Sequence, residues 1–150
     1  MRVYIKDYYD AFKLCNDSHA RGDMTPFLLM FLHVLDSSMK QLLEALEKRH
    51  KQLNYYARYS GLFIKSKNDK IAGDLIYLLI QASLFADDGI STADLLSNLQ
   101  VSKTTLSNKL AQLPDGLLKV KRVGKGNYYQ LDLNVLDQQI YAEKRGVSQG

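Results

Sequence analysis

Residues 90–131 read ISTADLLSNLQVSKTTLSNKLAQLPDGLLKVKRVGKGNYYQL, and this stretch decides the fold of the second half of the chain. Ser91 and Ser102 each precede a short segment of helical apolar period, and a serine in that position caps a helix through its hydroxyl group. Two short helices are therefore predicted, joined by a tight turn at 100–101. The second helix must end before Pro114, because proline cannot continue a helix.

The apolar period changes from about 3.6 residues to two after the second of these helices. Apolar and basic side chains alternate over 118–121, and apolar and polar side chains alternate again over 128–133. The segment between them, Gly124-Lys125-Gly126, is typical of a hairpin loop. Two antiparallel strands are predicted here.

A further helix is predicted upstream, from about Asp69 to Phe85, because its apolar residues recur at helical spacing and it ends at the turn signal Asp87-Asp88-Gly89. A helix, a helix-turn-helix and a hairpin, in this order, indicate a winged helix-turn-helix domain. We place this domain at 69–150, with a C-terminal helix after the hairpin.

The first half of the chain predicts two helices. One runs from about Val3 to Ala20, and a longer one begins after Thr25, the expected N-cap, with Pro26 in its first turn and continues to about Leu53. The predicted fold class is therefore mainly α. The chain is predicted to consist of an N-terminal helical segment (1–60), a linker (61–68) and a winged helix-turn-helix domain with three helices and a β-hairpin.

The composition is that of an ordinary folded protein, with 46% apolar and 24% charged residues in 150. Disordered and collagen-like chains are excluded on this basis. The longest apolar run is the six residues 27–32, which is much shorter than the roughly 20 residues of a membrane helix, so no membrane partner is predicted. The single cysteine, Cys15, cannot form an intrachain disulfide, and we expect a reducing, cytoplasmic environment.

The net charge of +4 is unevenly distributed along the chain. The stretch 101–129 contains six Lys and Arg residues against one acidic residue, Asp115, which gives a local charge of +5. Because a helix-turn-helix places its second helix in the DNA major groove, this concentration of charge favours double-stranded DNA as the partner.

The candidate DNA-binding residues lie on the exposed side of the second short helix and on the hairpin. Small hydroxyl and amide side chains on the helix can reach base edges, while the lysines at its rim and along the hairpin suit phosphates. The predicted set is Lys103, Thr104, Thr105, Ser107, Asn108, Lys109, Gln112, Lys119, Lys121, Arg122 and Lys125.

A protein-binding role is the alternative. Winged helices also serve as protein–protein modules, and lysines on a hairpin often only prevent strands from pairing with other chains. The apolar face of the first two helices would then dock on another domain or on a second copy, which predicts a homodimer.

A family resemblance covers roughly residues 3–50. The segments Tyr8-Tyr9-Asp10-Ala11-Phe12, 22–28 and Phe31-Leu32 resemble the closing helices of the Fic domain, an adenylyltransferase fold. The resemblance implies transfer of AMP from ATP to a protein hydroxyl group, through a loop that reads His-Pro-Phe-x-acid-Gly-Asn-Gly-Arg. Many bacterial Fic proteins carry a winged helix after the catalytic domain.

The chain lacks that loop, since none of its three histidines precedes a proline and Gly-Asn-Gly does not occur. We therefore expect a non-catalytic C-terminal region of a Fic-like protein, or a shortened relative, whose winged helix binds DNA and regulates transcription or targets the Fic domain. The alternative is an interaction or dimerisation module that regulates an upstream adenylyltransferase domain.

No catalytic residue, cofactor site or metal site is predicted in this chain. His19 and Asp23 are close in sequence but supply too few ligands for a metal ion. Gly124-x-Gly126 precedes a strand and lacks a third glycine, so it does not match a phosphate-binding loop.

Overall fold

The computed structural model describes residues 4–17, 22–64 and 69–147 and separates the chain into two compact units, Met1–Lys48 and Arg49–Gly150. The described residues are mainly helical, with a small antiparallel sheet of three strands. The predicted mainly α class is confirmed.

The first unit contains α1 (Ile5–Cys15) and the beginning of α2 (Thr25–Tyr59). Ala11 and Cys15 are the buried residues of α1, and the ring of Tyr8 meets that of Phe27 edge-on at a centroid distance of 5.9 Å. Helix α1 ends at Cys15, before the predicted end at Ala20, and residues 3 and 18–20 of the predicted span lie outside the described part of the chain.

The start of α2 differs from the prediction in one detail. Thr25, expected as the N-cap, is instead the first helical residue, and its amide donates a hydrogen bond of 2.9 Å to Oδ1 of Asp23. Asp23 therefore supplies the acceptor that the sequence analysis assigned to Thr25. Hydrogen bonding to the Thr25 side chain, together with the bond from the Thr25 amide, holds the pKa of Asp23 below its ordinary value.

Helix α2 continues six residues beyond the predicted end at Leu53 and leads into a 3₁₀ turn, Ser60–Phe63. The physical reason is burial, since Leu53, Tyr56 and Phe63 all belong to the core of the second unit. The first part of the predicted linker 61–68 is thus ordered and packed, and residues 65–68 lie outside the described chain. The division between the compact units falls inside α2 instead.

The second unit continues with α3 (Lys70–Phe85), β1 (Ile90–Ser91), α4 (Thr92–Leu99), α5 (Lys103–Leu110), β2 (Leu118–Val123), β3 (Gly126–Leu131) and α6 (Leu133–Val147). The predicted helices and hairpin of this region are present close to their predicted bounds. Strand β1 was not predicted, because a two-residue segment shows no period. The sheet has the order β1-β3-β2, with both pairs antiparallel.

Helix α3 is the centre of the second unit. Four of its side chains are at most 1% exposed, namely Leu75, Ile76, Leu79 and Ile80. The hydroxyl group of Ser83 accepts a 2.7 Å hydrogen bond from the Leu131 amide, which ties α3 to β3. Other elements complete the same core through Leu95, Leu106, Leu117, Leu136 and Ile140.

The C-terminal helix is fastened to the end of α2. The hydroxyl group of Tyr56 donates a 3.3 Å hydrogen bond to Oδ2 of Asp137 on α6. Burial, together with the nearby Asp137 carboxylate, raises the pKa of Tyr56 to about 12. Because Tyr56 stays neutral and protonated over the ordinary pH range, its hydroxyl group remains a donor to α6.

Gly89 occupies a position that excludes any side chain. Its φ is +90°, and a Cβ there would lie 2.5 Å from the carbonyl oxygen of Tyr129. Gly116 also has positive φ (+77°), yet a Cβ at this residue would meet nothing within 4 Å. Comparing the same substitution at the two glycines therefore distinguishes the effect of backbone strain from that of a collision with β3.

We expect Gly89→Ala to lower the free energy of unfolding of the second unit by about 3 kcal/mol, because it combines left-handed strain with a backbone clash. Gly116→Ala, the matched control, should lower it by about 1 kcal/mol through strain alone. Urea denaturation followed by circular dichroism measures both. Equal losses would contradict the close approach of Gly89 to Tyr129.

Candidate nucleic-acid interface

Helices α4 and α5 begin with the serine caps that the sequence predicts. Ser91 Oγ accepts a 3.1 Å hydrogen bond from the Asp94 amide and donates to the Asp94 carboxylate at 2.6 Å. Ser102 Oγ accepts a 3.1 Å hydrogen bond from the Thr105 amide. Each helix is only eight residues long, and a helix of this length is marginally stable by itself. The caps therefore determine where each helix starts.

The turn between the two helices depends on Gln100, the only described non-glycine residue with positive φ (52°). A left-handed residue directly after a helix ends it and redirects the chain. Leu95 of α4 and Leu106 of α5 are 0% and 2% exposed, and they anchor both helices in the core. The outer side of α5 is thereby held towards solvent.

The hairpin closes through Gly124 and Lys125, because Val123 pairs with Gly126 across the end of the ladder. Gly124 has φ +60° while Lys125 has no positive φ, which corresponds to a type II′ turn. This turn leaves the side chain of Lys125 exposed at the tip of the hairpin.

A groove of about 910 Å³ lies between α4 and α5 on one side and the hairpin on the other. Polar and charged side chains line its two walls: Thr92, Lys103 and Ser107 from the helices, and Lys125 and Asn127 from the hairpin. The hydroxyl group of Thr92 donates a 3.2 Å hydrogen bond to the Asn127 carbonyl and so links the walls. The groove has positive charge on both sides.

Most of the predicted interface residues are exposed. On α5 and the turn after it these are Lys103, Thr104, Ser107, Asn108 and Gln112, and on the hairpin they are Lys119, Lys121, Arg122 and Lys125. Thr105 and Lys109 are half-buried instead. Of the predicted residues, Lys103, Ser107 and Lys125 line the groove itself.

Lys109 does not lie free at the rim of the helix as predicted. Its Nζ pairs with Oδ2 of Asp69, and both side chains are 21% exposed. Asp69 also caps α3, because its Oδ1 accepts a 3.0 Å hydrogen bond from the Ala72 amide. The ion pair therefore fastens α5 to the start of α3, a structural role that the linear sequence did not indicate.

Thr105 also has a local role that the prediction did not include. Its Oγ1 lies 2.9 Å from Oγ of Ser102, so the two hydroxyl groups share a hydrogen bond at the start of α5. The threonine side chain belongs to the helix cap.

Two of the hairpin lysines also have carboxylate partners. Lys119 Nζ lies 2.7 Å from Oδ2 of Asp132, and Lys121 pairs with Asp88. The Asp88 carboxylate raises the pKa of Lys121 through this hydrogen bond. Lys119 correspondingly lowers the pKa of Asp132.

These ion pairs change the charge that the surface presents. Asp69, Asp88 and Asp132 all lie outside the stretch 101–129, and counting them lowers its net charge from +5 to +2. Within the described residues, Lys103, Arg122 and Lys125 remain without an ion-pair partner. The positive charge is therefore concentrated at the groove and the hairpin tip.

Sequence reasoning missed most residues that line the groove, among them Thr92, Asn127 and Tyr128. The alternation of side chains along β3 could have identified Tyr128, because it places this residue on the other face of the strand from Tyr129 and Leu131.

The described residues contain no group of three His, Cys, Asp or Glu side chains that could hold a metal ion. His19 lies outside them. No helix in the described ranges is long and apolar enough to cross a membrane. Comparison of the chain with protein-family models, with curated proteins and with solved structures finds no match.

The Asp69–Lys109 pair predicts a pH effect on stability. The Lys109 ammonium and the Ala72 amide lower the pKa of Asp69 below its ordinary value of 3.8. The stabilisation is therefore fully present when the pH is above the pKa of Asp69 in the unfolded chain. It is lost as the pH falls through the lower pKa that Asp69 has in the folded protein. Asp69→Asn retains a capping side chain but removes the charge.

We expect Asp69→Asn to reduce the loss of stability that the wild-type protein shows between about pH 5 and pH 2. Asp74→Asn, on the exposed side of the same helix, should leave this loss unchanged and is the matched control. Urea denaturation across the pH range measures the effect. An identical acid dependence in Asp69→Asn and the wild-type protein would contradict the ion pair.

Proposed function

We propose that the second unit is a winged helix-turn-helix domain that binds double-stranded DNA, with α5 as the recognition helix and the β2–β3 hairpin as the wing. The observation that carries this proposal is the groove between α5 and the hairpin. It has an unpaired lysine on each wall, Lys103 and Lys125.

The order of elements supports the fold assignment. Helix α3 is followed by a short strand, two capped helices around a tight turn, and a hairpin that pairs with that strand. In a helix-turn-helix protein the second helix lies in the major groove. Helix α5 presents Thr104, Ser107 and Asn108 to solvent, and these side chains can hydrogen-bond to base edges.

The charges support a phosphate-binding role for the groove walls. Lys103 stands in the first turn of α5 and Lys125 at the hairpin tip, so a DNA backbone lying in the groove would have an ammonium group on each side. Arg122 adds an unpaired cation on β2. Lys119, Lys121 and Lys109 contribute less, since a phosphate would have to compete with a carboxylate for each.

Salt dependence of binding tests this assignment. Each phosphate contact contributes about 0.9 to the slope of log K against log salt concentration. We expect Lys103→Ala with Lys125→Ala to lower the slope by about two. Fluorescence anisotropy with a mixed-sequence duplex, at about 50 to 200 mM salt, measures it.

The matched control removes the same charge elsewhere in the second unit. Lys51→Ala with Arg58→Ala takes two exposed cations from the last part of α2 and should leave the slope nearly unchanged. Equal effects of the two double variants would show that binding depends on the overall positive charge of the protein and not on the groove. If the wild-type protein does not bind the duplex, the proposed DNA-binding function is wrong.

A second candidate function rests on the first unit. Fifteen large apolar residues of α1, α2 and the residue before α2 are 44–65% exposed. Exposed apolar area of this extent marks an interaction surface. We propose that the segment 1–60 is the closing part of a Fic-like domain, as its resemblance implies, and that the chain acts there as an interaction module for an adenylyltransferase.

In this proposal the chain itself transfers no AMP, because it lacks the His-Pro-Phe loop on which the family's chemistry depends. The purified chain, incubated with ATP labelled on its α-phosphate and a bacterial lysate, should label no protein that the lysate alone leaves unlabelled. ATP-dependent labelling that requires the chain would overturn the non-catalytic assignment.

A further inference from the structure

A continuous apolar stripe runs along α2 inside the first unit. Its members follow one another at spacings of four, three, four, three and four residues, and each is 45–62% exposed: Leu28, Leu32, Leu35, Met39, Leu42 and Leu46. This spacing is that of the a and d positions of a heptad repeat, which places side chains along one seam of a helix. We call these six residues the α2 seam.

The α2 seam is distinct from the face that α1 covers. Met30 and Val34 are half-buried and line, with Tyr8 of α1, a groove between the two helices. The polar side of α2 carries a 2.7 Å ion pair between Asp36 and Lys40. The seam lies between these two faces and carries no charged side chain.

The exposed area is sufficient for a stable contact between two chains. Leu29, Phe31 and Leu43 flank the seam and are 53–63% exposed. At about 200 Å² for a fully exposed large side chain, the nine residues present roughly 1,000 Å² per copy. A standard specific interface buries about 800 Å² on each partner, so a dimer of that size would have to cover most of this face.

We propose that the α2 seam is the contact between two copies of this chain, which pair lengthwise along α2 as a homodimer. A second copy fits because a two-fold contact uses the same patch on both partners, and an exposed apolar stripe can pack against its own copy. The spacing reads the same from either end. Two seams can therefore interdigitate through apolar side chains, while Asp36, which shares the heptad position of Leu29 and Leu43, stays paired with Lys40 at the edge of the contact.

This inference rests on the interaction function proposed for the first unit and is independent of DNA binding. It makes the interaction module a dimerisation module, in which the partner on the α2 seam is a second copy of the chain and not the adenylyltransferase itself. The alternative partner for the α2 seam is a separate catalytic domain. A chain that stays monomeric in solution would favour this alternative.

Sedimentation equilibrium of the full chain at micromolar concentrations tests the homodimer. The wild-type protein should sediment at twice its chain mass of 17.1 kDa. Leu35→Lys with Leu42→Lys places two charges in the seam and should raise the dimer dissociation constant by about 100-fold or more. Far-UV circular dichroism should show that the variant keeps its helices.

Leu14→Lys is the matched control, because Leu14 is 59% exposed but lies on α1 outside the seam. This variant should remain a dimer. A monomeric wild-type protein would overturn the proposal whatever the variants do. A Leu14→Lys variant that dissociates as much as the double variant would overturn it as well, since the association would then be unspecific.

Discussion

The second unit depends on the burial of one face of α3. Leu75, Ile76, Leu79 and Ile80 are almost inaccessible to solvent, and the two capped helices, the sheet and α6 all contribute side chains to the same core. Burial of each large aliphatic side chain contributes about 1.5–3 kcal/mol, so this face outweighs any single surface ion pair, which contributes at most about 1 kcal/mol. The position of α5 relative to the hairpin, and hence the groove, follows from how both pack on the core around α3.

The charge of the groove is a tertiary property. The lysines of the stretch 101–129 are neighbours in sequence, but the carboxylates that pair with three of them come from the start of α3, the turn before β1 and the start of α6. A count along the chain finds the cations and misses their partners. Folding thus divides one basic stretch into paired lysines that hold the fold together and unpaired ones that face the groove.

Local rules account for the parts of the fold that sequence predicted well. Ser91 and Ser102 cap their helices through their own side chains, and the hairpin follows from strict alternation around a glycine turn, so a short window of sequence suffices for each. Two of the misses depended on distant contacts, whereas the Asp23 cap and the Thr105–Ser102 hydrogen bond are local. Helix α2 extends to Tyr59 because Tyr56 reaches Asp137 of α6, and Lys109 is tied to Asp69, forty residues away.

The two compact units also divide the charge of the chain. Residues 1–48 contain six basic and seven acidic side chains, whereas 49–150 contain fourteen and nine, so the net charge of +4 comes from −1 and +5. The apolar seam lies in the first unit and the basic groove in the second. Because salt screens charged contacts but does not weaken apolar ones, ionic strength acts on the two proposed interfaces separately. Association through the seam should therefore persist at a salt concentration that releases a nucleic acid from the groove.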